Sequence, residues 1–169
     1  MPELTIELKK TKDGSTALSC KRADGSVTWQ HHKATQGPFF SLHDLTHYAV
    51  ETVLGYREGF FGLVAGGWDI SDFEKRGAIA MLPREAQMAE VIVGFLDTER
   101  ASRSRWPAAD FNAHLATHCA QHGIDHVAQL TDDSLNRTRD LRSKLFARWG
   151  SLAIGETLTL EFARGDRVS

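Results

Sequence analysis

The chain has 169 residues, 41% of them hydrophobic and 25% charged, with a formal net charge of −2. This is the composition of one globular core, and it gives no electrostatic ground for a nucleic-acid partner. No apolar run reaches transmembrane length, and the two cysteines, Cys20 and Cys119, make no disulfide framework.

The first third reads as strands. Leu4, Ile6 and Leu8 alternate with Thr5, Glu7 and Lys9, the period of a half-buried strand. Asp13-Gly14 and Asp24-Gly25 are turn signals, so a three-stranded meander is expected near residues 4–10, 15–21 and 26–32. Gly37-Pro38 ends it. A helix is then expected to start at Ser41, with Leu42, Leu45, Ala49 and Val53 on one stripe and Gly55 as its stop. Arg57 to Ala65 reads as a short helical segment, and Ser71-x-x-Glu74 as a capping box. Pro83 opens a helix carrying Met88, Val91, Ile92, Phe95 and Leu96. Pro107 opens another, closed by Gly123, and Thr131 or Asp132 caps one more that ends near Gly150. Glu156 to Phe162 alternates again and needs a sheet partner, which the N-terminal meander supplies. The expectation is one α+β domain over residues 1–169: a small antiparallel sheet with four to six helices on one face.

The chemistry concentrates in Ser41-Leu42-His43-Asp44-Leu45-Thr46-His47. Two histidines four apart sit one helical turn apart, so both imidazoles can reach one point. Helices present paired ligands to zinc or iron at this spacing. On a wheel drawn from Leu42, His43 falls on the buried arc, His47 on its edge and Glu51 just beyond. A third ligand is required. Glu51 is two turns from His43, a long reach on a straight helix. Glu58 follows the Gly55 break, can fold back, and is preferred. His31 and His32 lie just upstream and can also reach the site. The expected metal ligands are thus His43, His47 and Glu58, holding zinc or iron, with Asp44 as the carboxylate that moves a proton. The rival reading makes Ser41-x-x-Asp44 a capping box and the histidines structural.

His43-Asp44-Leu45-Thr46-His47 followed by Gly55 and Glu58 resembles the metal motif of the ubiquinone-biosynthesis Coq-four family. That resemblance implies a divalent metal on His43, His47 and Glu58, in helical proteins that act on or carry prenylated quinone precursors. The helix is also similar to the zincin His-Glu-x-x-His, with Asp44 one methylene shorter in the place of the general base. The His43-Asp44 doublet further resembles that of HD-domain phosphohydrolases, which implies His31 or His32 and Asp69 as its other ligands.

His114, His118, His122 and His126 recur every four residues. They read either as a second ligand set, the far wall of the first site, or boundary histidines. There is no Gly-rich phosphate motif and no nucleophile elbow. Two functions stay open: a metal-dependent hydrolase, or a non-catalytic domain that binds a small molecule or a protein. The reduced thiols, and an opening Met1-Pro2-Glu3-Leu4 without signal-peptide character, lead to a cytoplasmic location as the expectation.

Overall fold

The computed structural model describes residues 2–165 of the chain. The fold is α+β. Strands β1 (Leu4–Lys10), β2 (Thr16–Arg22), β3 (Val27–His32) and β4 (Thr157–Phe162) form one antiparallel sheet in the order β3-β2-β1-β4. The C-terminal strand pairs with β1, as its alternation requires. Ile6 lies opposite Cys20 and Leu160, and Leu8 opposite Leu18 and Leu158, so the apolar sets of three strands share one face. β3 is an edge strand whose Thr28 and His32 turn inward while Trp29 is exposed.

Six α-helices follow among the described residues: α1 (Gly37–Leu54), α2 (Phe60–Ala65), α3 (Ala78–Met81), α4 (Arg84–Ser102), α5 (Ala108–Gln121) and α6 (Asp132–Ser151). None is long and apolar enough to cross a membrane. The core has two parts. Leu45 of α1, Phe61 of α2 and Leu145 of α6 cover the sheet. Val50 of α1 and Leu135 of α6 also pack with α4 and α5 in a second cluster that holds no strand residue. So α4 and α5 rest on other helices rather than on the sheet, and α1 is wedged between the two layers.

The start of α1 differs from the sequence expectation. The helix begins at Gly37, with Pro38 in its first turn and no side-chain cap. Proline suits that place because its missing N–H is not needed there. Gly37 lies against the β1–β2 turn, where a Cβ would stand 2.7 Å from the Gly14 carbonyl oxygen. Ser41 and Asp44 therefore sit inside the helix, both buried, and form no capping box. The capping box expected at Ser71 and Glu74 instead uses Asp69 and Asp72, around a short 3-10 helix at Ile70–Glu74. Thr131 caps α6, reciprocated by Ser134. Gly55 ends α1 in the left-handed region, at φ 68°, which favours glycine. Cys20 and Cys119 are free and buried, one in each cluster.

Candidate metal centre

The centre lies where α4 crosses α1. From α1 come His43, His47 and Glu51, spaced one turn apart. From α4 come Glu90 and Asp97, seven residues apart and so two turns along one face. His43 Nδ1 is 2.7 Å from Asp97 Oδ2. His47 Nδ1 is 3.4 Å from Glu51 Oε2, and its Nε2 is 3.4 Å from Glu90 Oε1. The two imidazoles meet edge to face with centroids 4.8 Å apart. One ligand atom each from His43, His47 and Glu90 lies within 4.8 Å of the other two.

A carboxylate therefore stands at Nδ1 of each histidine, which leaves Nε2 as the other donor. Bonds of about 2.1 Å in a tetrahedral site separate neighbouring ligand atoms by about 3.4 Å. The His47–Glu90 pair already has that separation. Two nitrogens and a carboxylate oxygen fit zinc or iron, and carboxylates behind ligating imidazoles fix their orientation.

The electrostatics follow from burial. Desolvation alone would lower the His47 pKa, but Glu90 and Glu51 outweigh it and push it up to about 10. Burial pushes Asp44 up to about 7, against the opposing pull of His43 and His47. Burial also raises Glu51, although His47 and the N–H groups of Phe61 and Gly62 favour its charged form. Asp97 is shared with Arg100, whose guanidinium is 3.6 Å away. Asp44 Oδ2, His47 Nδ1 and Glu51 Oε2 are buried without a hydrogen-bond partner.

His43, Asp44, His47 and Glu90 border a cavity of about 560 Å³ lined also by His32, Phe60 and Phe73, with Gln30, His31, Gln36, Phe40, Ile70 and Glu74. Of the residues expected from sequence, His43, Asp44 and His47 come together here, joined by His31 and His32. Glu58 does not. Its backbone N–H donates to Glu85, and it lines a separate cavity with Arg57, Glu85 and Arg164. The chain does fold back after Gly55, but it delivers the N–H groups of Phe61 and Gly62 to Glu51 Oε1 instead of a carboxylate to the His43–His47–Glu90 cluster. Glu51, expected just outside the buried arc, is 1% exposed because α2 covers it. Asp69, the acid implied by the phosphohydrolase resemblance, pairs with Arg22 and is not in the cavity wall.

Sequence reading missed Glu90 and Asp97. Their signal was an acidic pair two turns apart on a helix whose neighbouring Ile92, Val93 and Leu96 are buried. The second histidine set forms no ligand group among the described residues. His118 and His122 stack at 4.1 Å, His114 packs on Trp106, and His126 meets the Arg84 carbonyl. His118 and His122 line a neighbouring cavity of about 700 Å³ that shares Phe73 and Glu90 with the first. Comparison with known protein families, curated proteins and solved structures finds no match.

Proposed function

We propose that this chain is a divalent-metal protein whose His43–His47–Glu90 centre works as a metal-dependent hydrolase. The observation that carries this reading is the carboxylate at Nδ1 of each histidine, Asp97 at 2.7 Å and Glu51 at 3.4 Å. Asp97 holds the His43 ring through Nδ1, and His47 has a carboxylate beside each ring nitrogen, Glu51 at Nδ1 and Glu90 at Nε2, both at 3.4 Å. A bound ion would supply Lewis acidity and lower the pKa of water beside it. The chain's own residues do the rest. Asp44 takes or gives a proton at Oδ2, and its pKa of about 7 suits that task near neutral pH. Phe40, Phe60 and Phe73 give the cavity its aromatic lining. Two free thiols suit a reducing compartment, and we assign the cytoplasm.

Elemental analysis tests the reading. We expect about one zinc or iron per chain in the purified protein, lost on chelation and in His47→Ala, with a fall in Tm. Unchanged metal content and Tm after both treatments would overturn it.

A second reading has its own observation: His43 and His47 already have carboxylate partners within the protein. The chain would then be a non-catalytic domain binding a small molecule or a protein. A metal-free protein that gains no thermal stability from added zinc or iron selects this reading.

A further inference from the structure

The cavity of about 700 Å³ adjoins the centre. It shares Phe73 and Glu90 with the first cavity, so the two lie side by side along these residues. Glu90 belongs to both. Its Oε1 is 3.4 Å from His47 Nε2, and 44% of its side chain is exposed. Phe73 is packed between Phe60 and Trp68, with ring centroids 4.7 and 5.0 Å away.

The wall is apolar and comes from three parts of the chain. α4 supplies Val91, the residue after Glu90, and the segment before α4 supplies Ala80 and Leu82. Gly123 follows α5 at φ 65°, in the left-handed region, and the Ile124 N–H donates back to the Cys119 carbonyl. That turn brings Ile124 to the cavity.

The polar lining residues are already engaged. Gln87 Nε2 donates to the Leu82 carbonyl, His122 Nδ1 donates to the His118 carbonyl, and Glu90 faces His47. Among the described residues no Lys or Arg lines either cavity. In the first cavity, by contrast, buried ring nitrogens of His32 and His47 lack a hydrogen-bond partner. A ligand's polar end has groups to meet in the first cavity, and its other end has few in the second.

We infer that the second cavity seats an uncharged alkyl or aryl group of the substrate, while the reacting end of the same molecule lies at the His43–His47–Glu90 centre. The inference rests on the metal reading of that centre and names the class of substrate it acts on, one with a sizeable apolar substituent beside the reacting group. An apolar group gains by leaving water for Ala80, Leu82, Val91 and Ile124. An anion would lose hydration there with no Lys or Arg to replace it, and Glu90 would repel it. A cation would find only Glu90, which the centre already uses. Small-molecule sites usually have roughly 300–1,000 Å³ and a mostly apolar lining with few polar groups to set orientation, and this cavity fits that description.

The test uses zinc-loaded protein and a ladder of straight-chain hydroxamates, from acetohydroxamate through hexanohydroxamate to octanohydroxamate, followed by titration calorimetry. All share one zinc-binding head and differ only in the apolar tail. We expect affinity to rise about fourfold for each methylene that enters the cavity, and about 50-fold over the ladder. Ala80→Trp should fill the cavity and Leu82→Ser should make its wall polar. Both residues lie outside the two core clusters, so the core stays intact. Loss of the chain-length gain in either variant, with acetohydroxamate affinity and zinc content unchanged, supports the inference. Equal affinity along the ladder in the wild-type protein, within about twofold, overturns it and leaves the metal reading standing. A gain that both variants keep also overturns it, because the tail then lies elsewhere. A protein that takes up no zinc overturns the metal reading, and the substrate assignment falls with it. Elemental analysis reports that failure before any probe is added.

Discussion

His47 Nδ1 lies 3.4 Å from Glu51 Oε2, one turn along α1, with the two side chains 3% and 0% exposed. An imidazole and a carboxylate sealed together in this way are held by what surrounds them. Phe61 and Gly62 donate their N–H groups to Glu51 Oε1, and Glu90 stands at the far nitrogen of His47. The amides anchor the carboxylate, the carboxylate lies beside Nδ1 of the ring, and Nε2 of the ring lies toward Glu90. This arrangement assigns ligand and supporting roles that substitution can tell apart.

Glu90→Gln and Glu58→Gln form the sharpest pair. Glu90 contributes a ligand atom to the cluster, whereas Glu58 lies beside Glu85. We expect Glu90→Gln to lose bound metal and Glu58→Gln to keep it. Asp97→Asn removes the carboxylate behind His43 and should weaken metal affinity about 10–100-fold. Competition with a chromophoric chelator measures all three. Metal loss in Glu58→Gln with retention in Glu90→Gln would reverse the assignment.

The pH dependence has a definite sign. His47 is raised from 6.5 to about 10, so the folded metal-free chain holds that proton more tightly than the unfolded one. Its contribution to stability is full below about pH 6.5 and is lost as pH rises through about 10. Thermal melts of the metal-free protein should therefore fall across that window, and His47→Ala should flatten the slope. Metal binding runs the other way. A ligating imidazole must be neutral, so affinity should rise with pH and binding should release protons. An affinity that is flat from pH 6 to pH 9 contradicts both the raised pKa and the ligand role.

The sheet was legible because its signals are local. The alternation of Leu4, Ile6 and Leu8 and the two Asp-Gly turns need no knowledge of the rest of the chain. His43, Asp44 and His47 were legible for the same reason, since their geometry is that of one helix. Glu90 and Asp97 were not, because α1 and α4 meet only through long-range packing. The wheel failed at Glu51 because it describes a lone helix, and α2 folds over a side that the wheel leaves in solvent. Gly37-Pro38 reads equally well as a loop or a helix start. The contact of Gly37 with the Gly14 carbonyl decides between them.

Gly59 provides the third prediction. A Cβ there would overlap the carboxylate of Glu51. Glu51 cannot retreat cheaply, because it is buried and tied to the backbone of α2. Gly59→Ala should cost about 1–3 kcal/mol by overpacking and weaken metal binding through the displaced carboxylate. Urea unfolding with and without zinc measures both effects. A variant as stable as wild type would show that the loop yields at no cost.

The thiols give a prediction about solution behaviour. Cys20 and Cys119 are both fully buried, and burial pushes the Cys20 thiol up to about 12. The thiolate is the reactive form, so neither should react with a disulfide reagent at neutral pH while the chain is folded. Two thiols should appear together on unfolding in denaturant, at the rate of global opening. Immediate reaction of one thiol in the native protein would place that cysteine at the surface.

Two residues beyond Asp97 along α4, Glu99 forms a buried ion pair with Arg139, the two residues 1% and 4% exposed. The guanidinium spans both carboxylate oxygens at 3.2 and 2.6 Å, and Arg139 also donates to the Trp106 carbonyl. Glu99 in turn accepts the Trp106 N–H at 2.8 Å. The pair thus ties α4, α6 and the segment before α5 at one point. Taking two charges out of water costs heavily, and the geometry offsets that cost only while both partners are present. Glu99→Ala leaves a buried guanidinium without its counter-ion and should destabilise the fold by about 3–5 kcal/mol. Replacing both residues, Glu99→Met with Arg139→Leu, should recover most of that loss, because no unpaired charge remains. Chemical denaturation of the single and double variants measures the difference. If Glu99→Ala costs no more than an exposed ion pair, about 1 kcal/mol or less, water must reach Arg139 and the helices must be open at this point.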